Sequence, residues 1–472
     1  MVKKQRGVCL IVSIEKFDEP SDGKCAHEDR EGADVDRENL KELFHQLGFI
    51  LIVIENGTEA EIRQRAKEVR RMEESKNGDM FVAIVLSHGK EGYFVTRDNH
   101  NYDIEDFVTD FNNEGWQPFR GKPKLIVINS CRGKGDDGKA EFDTGVHVIK
   151  PNPGGVTKTD SFQAAKALLE TKSVSTEDMV IAFATVPGYA ACRDANRGAW
   201  YIQSLCEVFM KDSHHFELRE LLDEVARKLS TFTDMCETRQ SCLYEARNFY
   251  KKLFFNPGID ESNLYQPRDS SELTTPAIDM NIPLDIEVRK ATQFRGPPYF
   301  KAYPMTRRSR GHCLIINVRE YNSRGGIRNS HRETSDYFIQ RVGSEVDVKN
   351  LRTLFTSLDF ECAVVVDPNL KDVHETCNKL ATRQNIGDMD MLVVIVMANG
   401  NEKGFLMADE GVLVIEDLLK KFNNSGCPSL RGKPKLFICQ GCRGDDSDLG
   451  VMPAFRDGGG GAPAGATRGA QV

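Results

Sequence analysis

One stretch occurs twice in this 472-residue chain, and the repetition limits what the chain can fold into. Arg120-Gly-Lys-Pro-Lys-Leu-Ile-Val-Ile-Asn-Ser-Cys131-Arg-Gly133 recurs as Arg431-Gly-Lys-Pro-Lys-Leu-Phe-Ile-Cys-Gln-Gly-Cys442-Arg-Gly444. The constant offset of 311 that relates them also carries His88 onto Asn399 and Arg30 onto Arg341, so an ungapped register runs over about a hundred residues. Two copies of one folding unit are therefore expected. In the first, a thiol and an imidazole both remain, whereas the second has lost the imidazole.

The apolar pattern gives the architecture of that unit. Val8–Ile14, Ile50–Ile54, Met80–Leu86 and Leu125–Ile128 are short apolar runs expected to be strands. Between them, Asp34–Leu47, Ala60–Met72 and Ile104–Phe111 carry helical spacing, and Gly48 marks a stop. Wholly apolar strands alternating with helices imply a mostly parallel α/β sheet with helices on both faces. Further strands are expected at Met179–Thr185 and Lys252–Phe255, with helices at Trp200–Met210 and Leu218–Phe232. Ligands bind beyond the carboxyl ends of such strands, and His88 and Cys131 each follow one.

The bulk properties exclude other classes. A net charge of −8 argues against a nucleic-acid or anionic-membrane partner. Thirteen cysteines at irregular spacing do not read as a disulfide framework, and a reducing cytoplasmic setting is expected. The apolar run after Met1-Val-Lys-Lys-Gln-Arg is too short for a signal peptide and recurs internally as Gly311-His-Cys-Leu-Ile-Ile-Asn317, which marks it as a core strand. No apolar stretch approaches the length of about eighteen residues that spans a bilayer. Cys439-Gln-Gly-Cys442 has C-x-x-C spacing but no partner pair, so no metal site is expected.

A cysteine and a histidine on neighbouring strand ends form the pairing used in nucleophilic catalysis. The histidine takes the thiol proton or holds the thiolate, then protonates a leaving amine. The backbone N–H groups of Cys131 and Gly89 are expected to cradle a developing oxyanion. Ser87-His88-Gly89 followed by Ser130-Cys131-Arg132-Gly133 resembles the caspases. Arg30-Glu-Gly-Ala-Asp34-Val-Asp36 is similar to the family's large subunit, and Ala184-Thr-Val-Pro-Gly-Tyr189 through Arg197-Gly-Ala-Trp-Tyr-Ile-Gln203 to its small subunit. The resemblance covers nearly all of residues 1–257.

What the resemblance implies is specific. The fold would be a caspase-like three-layer sandwich with a sheet of about six strands, followed by a second, incomplete copy. The activity would be endopeptidase cleavage after aspartate without a cofactor, in apoptosis or related signalling. Arg30 and Arg193 would grip the aspartate, since two guanidinium forks can hold one carboxylate. Asn129 stands where the family has glutamine and would loosen that pocket. Cys192 replaces a tryptophan and would enlarge the neighbouring apolar subsite. The expected organisation is a large-subunit-like 1–142, a linker 143–172 with processing at Asp143 and Asp160, and a small-subunit-like 173–257. A linker 258–304, a second large-subunit-like unit 305–454 and a Gly/Ala-rich disordered tail 455–472 would follow. Partners would be substrate proteins and a second caspase chain, in a homodimer through the small subunit or a heterodimer. The second unit, with Arg341, Asn399 and Cys442, would be catalytically dead because asparagine cannot transfer the proton. A non-catalytic decoy that regulates another caspase is the alternative.

Overall fold

In a computed structural model the structure describes residues 6–19, 27–133, 176–232, 239–255, 303, 309–321, 341, 343–401, 404–409 and 411–441. Asp143, Asp160, Cys442, the linkers and the tail lie outside the described residues. The described residues divide into two compact units, one ending at residue 255 and the other beginning at 303.

The first unit contains β1 (Gly7–Ser13), α1 (Ala33–Gln46), β2 (Phe49–Glu55), α2 (Glu59–Arg71), α3 (Glu73–Asn77) and β3 (Met80–Leu86). A small sheet of β4 (Gly89–Lys90), β5 (Tyr93–Val95) and β6 (Asn101–Asp103) precedes α4 (Ile104–Thr109) and β7 (Lys124–Asn129). Then come β8 (Met179–Phe183), the hairpin β9 (Arg193–Asp194) and β10 (Gly198–Ala199), α5 (Trp200–Asp212), α6 (Leu218–Leu229) and β11 (Leu243–Arg247). The six-stranded sheet runs β11-β8-β7-β3-β1-β2, parallel except for β11.

Alternating strand residues feed two cores. Cys9, Ile11, Val82 and Ile84 pack with Leu40 and Phe44 of α1 and with residues of α5 and α6. Val8, Leu10, Ala83 and Val85 pack with Ile62 and Ala66 of α2 and with Phe107, Phe111 and Trp116. This is the three-layer α/β arrangement that the strand–helix alternation implied. α2 begins in a capping box, in which Thr58 accepts from the Glu61 amide and Glu61 reaches back to the Thr58 amide.

The sixth strand departs from the expectation. Lys252–Phe255 contributes only an isolated bridge between Phe254 and Glu217, and the antiparallel edge strand is instead Leu243-Tyr-Glu-Ala-Arg247. That segment is half-exposed and carries Glu245 and Arg247, so it lacks the continuous apolar signature of the buried strands.

The duplicated Gly-Lys-Pro-Lys segment is mainly structural. Lys122 Nζ donates to the carbonyls of Lys76 and Gly78 at 2.5 and 3.0 Å, which ties the entry of β7 to the end of α3. Lys124, fully buried, donates to Asn113 Oδ1 and the Lys122 carbonyl, both at 2.9 Å. Burial lowers its pKa to about 8.

The second unit repeats the plan. It comprises β12 (Gly311–Asn317), α7 (Ser344–Ser357), β13 (Phe360–Val366), α8 (Leu370–Ala381), β14 (Met391–Met397), the small sheet β15 (Gly400–Asn401), β16 (Gly404–Leu406) and β17 (Val412–Leu413), α9 (Ile415–Phe422) and β18 (Lys435–Gln440). Its parallel sheet has four strands, β13-β12-β14-β18. The duplication extends to single bonds: Lys433 Nζ meets the carbonyls of Gly387 and Met389, as Lys122 meets those of Lys76 and Gly78.

The two units differ in what covers the first helix. Leu40 is fully buried under α1, whereas its counterpart Leu351 on α7 is half-buried. Leu40→Ala should therefore destabilise the first unit by about 2–5 kcal/mol. Leu351→Ala should cost the second unit only about 1 kcal/mol. Hydrogen exchange read at β1 and β12 separately would show equal losses if this difference in packing were wrong.

Candidate active site

The register of the central strands assembles the site. Ser13 of β1 pairs with Leu86 of β3, and Leu86 pairs with Asn129 of β7, which puts the three in one row across the sheet. His88 and Cys131 each follow that row by two residues and so emerge side by side at the carboxyl edge. β2 lies on one side of β1 and β3 on the other, so this edge is also where the strand order reverses.

The His88 ring is held on several sides. Its Nε2 lies 2.8 Å from the Glu28 carbonyl. A carbonyl can only accept, so Nε2 carries the proton and the neutral ring keeps its lone pair on Nδ1. Phe17 and His27 pack against the ring with centroid separations of 5.1 and 5.5 Å. Burial pushes the His88 pKa down to about 4, aided by the charges of Arg30, His27 and Arg193 and opposed by the Glu28 carbonyl. The imidazole is thus neutral at pH 7. Its own carbonyl accepts from Val95 N at 2.9 Å, which seats the residue on the β4–β5 turn. Gly89 follows immediately: a Cβ there would come within 2.6 Å of the Tyr93 carbonyl and 2.9 Å of Ser130. Only glycine lets this backbone lie against the loop that carries Cys131.

Two arginines converge beside the thiol. Arg30 is buried and its Nη1 donates to the Ile14 carbonyl, one residue past β1, at 2.8 Å. Burial, and then the like charge of Arg193, lower its pKa to about 9, so it remains cationic at pH 7. Arg193 is likewise lowered by burial, while Asp36 and Cys131 pull it up. Its Nη1 is buried without a hydrogen-bond partner, as is Asn129 Oδ1. An orphaned guanidinium donor beside a second buried cation is costly unless an anion completes it. The cluster thus leaves a buried cationic donor, Arg193 Nη1, open to an anion.

Several residues that hold this arrangement were not singled out in the sequence. Asp36, fully buried on α1, accepts from Ala199 N at 2.8 Å and so ties the β9–β10 hairpin carrying Arg193 to the helix that follows Arg30. Gly198 leaves no room for a side chain there, since its Cβ would lie 2.2 Å from Asp36 Oδ1. Gln240 accepts from Cys192 N at 2.8 Å and donates to the Ala184 carbonyl at 2.7 Å, bracing the other side of the hairpin. Arg132 N donates to the Tyr189 carbonyl and the Arg132 carbonyl accepts from Gly188 N, linking the cysteine loop to the loop after β8. These partners lie tens of residues away in sequence, and a lone buried Asp or Gln gives no local signal. Among the described residues no group of three or more His, Cys, Asp or Glu side chains could hold a metal ion.

The second unit keeps the frame but has asparagine where the first has histidine. Asn399 occupies the position of His88: its carbonyl accepts from Leu406 N at 2.8 Å, and its own N donates to the Tyr321 hydroxyl. Arg341 Nη1 donates to the Val318 carbonyl at 3.1 Å, much as Arg30 meets Ile14.

The caspase domain family model matches residues 6–254 and again 310–467. The chain belongs to the caspase family. Caspase-3 of Bos taurus is 30% identical over 226 residues, which cover 48% of this chain and 74% of that protein. Caspase-7 of Gallus gallus is 30% identical over 228 residues, covering 48% and 68%. Caspase-1 of Drosophila melanogaster is 31% identical over 230 residues, covering 49% and 65%. A crystal structure of Caspase-1 from Spodoptera frugiperda matches with a TM-score of 0.43 at 26% identity, over 56% of this chain and 94% of that one. The two separate matches to the caspase domain correspond to the two units of the fold.

Burial raises the Asp36 carboxyl to about 6, against the pull of the Ala199 amide and of Arg30 and Arg193. Above that pH the ionised carboxylate is the stronger acceptor. The hydrogen-exchange protection factor of the Ala199 amide should therefore fall by about tenfold between pH 7 and pH 5. Asp36→Asn should show reduced protection that does not change over this range. Wild-type protection that is flat across pH 6 would contradict the assignment.

Proposed function

We propose that the first unit is a cysteine endopeptidase that cleaves protein substrates after aspartate, and that the second unit is catalytically dead. The observation that carries this reading is the buried pair Arg30 and Arg193, with an unpartnered Nη1, beside Cys131 and a neutral His88. A substrate aspartate would satisfy both guanidinium groups and bring its own carbonyl carbon to the thiol. His88 Nδ1 takes the Cys131 proton as sulfur bonds to that carbon, and the oxyanion meets the Cys131 and Gly89 amides. The imidazolium then protonates the leaving amine as the C–N bond breaks, leaving a thioester. Water, deprotonated by the same ring, hydrolyses the thioester and restores the thiol.

The departures at Asn129 and Cys192 bear on preference rather than on chemistry. The shorter Asn129 amide leaves more room in the pocket, and Cys192, only partly buried, presents a small face to the residue two before the cut. Asp143 and Asp160 are proposed processing sites between the large- and small-subunit-like parts, 1–142 and 173–257. Pairing through the small-subunit part, in a homodimer or with another caspase, and a cytoplasmic, signalling role complete the proposal. No helix among the described residues is long and apolar enough to cross a membrane.

The full chain should hydrolyse fluorogenic peptides ending in aspartate and not those ending in arginine, with turnover abolished by Cys131→Ala. No turnover from the wild-type chain after cleavage at the linker would favour the decoy reading. Arg193→Lys should raise KM for aspartyl peptides by more than about tenfold while changing kcat less, because a point-like ammonium cannot replace the guanidinium fork. In a chain whose first unit is silenced by Cys131→Ala, Asn399→His should restore no activity. Thiol-dependent turnover from that double variant would refute the assignment of the second unit.

A further inference from the structure

The two units differ at one pair of positions whose chemistry the proposed activity leaves unused. In the first unit, Cys9 of β1 stands in register with Leu51 of β2. In the second, the corresponding places on β12 and β13 are held by Cys313 and Cys362. The shared thiol therefore faces a leucine in one unit and a second thiol in the other. Neither Cys313 nor Cys362 is engaged in a disulfide.

Register partners on parallel strands carry their side chains on the same face of the sheet. Here both side chains enter the core that β12 and β13 share with Phe355 of α7 and with Phe360. Neighbouring strands lie about 4.8 Å apart, inside the Cα separation of about 4.4–6.8 Å that a disulfide spans. The two thiols are close enough to hydrogen-bond, and burial, together with Cys362, raises the Cys313 pKa to about 12. Their surroundings are unequal. Cys313 is fully buried, whereas Cys362 is partly exposed on the edge strand. The Thr356 hydroxyl donates to Cys362 Sγ at 3.5 Å, and that sulfur lies 3.8 Å from the Arg352 and Phe360 carbonyls. An accessible thiol beside a buried one is the arrangement in which the first meets an oxidant and the second resolves the product.

We propose that Cys313 and Cys362 form a peroxide-reactive dithiol, a modification site in the second unit that closes into a disulfide between β12 and β13. The Cys362 sulfur, giving its proton to solvent, attacks one oxygen of hydrogen peroxide. The O–O bond breaks, and the leaving hydroxide takes up a proton to become water. Cys362 is then a sulfenic acid. The Cys313 sulfur displaces that hydroxyl: the S–S bond forms, the S–O bond breaks, and the Cys313 proton leaves with hydroxide as a second water. The two thiols together lose two electrons, which the peroxide gains. Cys313 is the resolving sulfur because it is buried and holds its proton. The bond ties the edge strand β13 to the interior strand β12 and closes a loop of about fifty residues, which restricts the unfolded chain. This inference goes beyond the proposed activity and does not depend on it.

To test this, the full, reduced chain is treated with a small excess of hydrogen peroxide, its remaining thiols are alkylated under denaturing conditions, and its peptides are mapped by mass spectrometry. A linked pair of peptides containing Cys313 and Cys362 is expected, and dithiothreitol should return both residues to alkylatable thiols. Cys9 should be oxidised at least about tenfold more slowly than Cys362, since it is fully buried with no thiol opposite. Cys362→Leu, which copies the pairing of the first unit, should abolish the link and leave Cys313 as protected from peroxide as Cys9. Cys362→Ser, closer in volume, should do the same, and unaltered hydrogen exchange of β12 and β14 shows that the variant read is folded. In the oxidised wild-type chain, protection of β12, β13 and β14 should be kept or raised. Four results would each overturn the proposal: a Cys362 that reacts no faster than Cys9, a Cys362 sulfinic acid beside a reduced Cys313, a link from Cys362 to some other cysteine, or protection of β12 and β14 that falls as the link forms.

Discussion

The placement of His88 and Cys131 depends on one row of parallel backbone pairing, Ser13 to Leu86 to Asn129. Neighbouring strands sit about 4.8 Å apart, and a slip of one residue would turn every side chain to the opposite face. With the row fixed, His88 and Cys131 leave the sheet at the same height, and Ile14 presents its carbonyl to Arg30 from the next strand. The row is specified by the two cores, because Val82 and Ile84 face one helical layer and Ala83 and Val85 the other. Hydrophobic patterning thus sets the position of the Cys131 thiol.

The pair Arg30 and Arg193 is assembled differently. Arg30 belongs to a loop before α1 and Arg193 to a hairpin more than 160 residues later. Burying two like charges is unfavourable in itself, as the lowered pKa values of both reflect. The cost is partly offset by Asp36, which lies within electrostatic reach of both and anchors the hairpin through Ala199. In the proposed reading, a substrate carboxylate would meet both guanidinium groups.

The second unit repeats the fold of the first while carrying asparagine at the histidine position. Its parallel strands, its lysine-to-carbonyl ties and the hydrogen bond at Asn399 reproduce those of the first unit. Among the described residues the sheet ends at β18, with apolar residues of β18 and α7 in partial contact with solvent.

The sequence by itself determined the duplication, the strand–helix alternation, the placement of His88 and Cys131 beyond neighbouring strand ends, and the loss of the imidazole at Asn399. These follow from local periodicity and from residue identity at fixed spacing. It did not locate the edge strand, because Leu243–Arg247 is half-exposed and charged and so lacks the apolar run that marked the others. Nor did it disclose Glu28, Asp36, His27 or Gln240 as supports of the site, because a buried polar group is defined by partners far away in sequence. Only the tertiary structure decided which surfaces of the two units are covered, since the burial of Leu125 and the exposure of Leu436 arise from the same residue in the same motif. Among the described residues, what differs is whether a neighbouring strand lies beside it, which the motif itself does not encode.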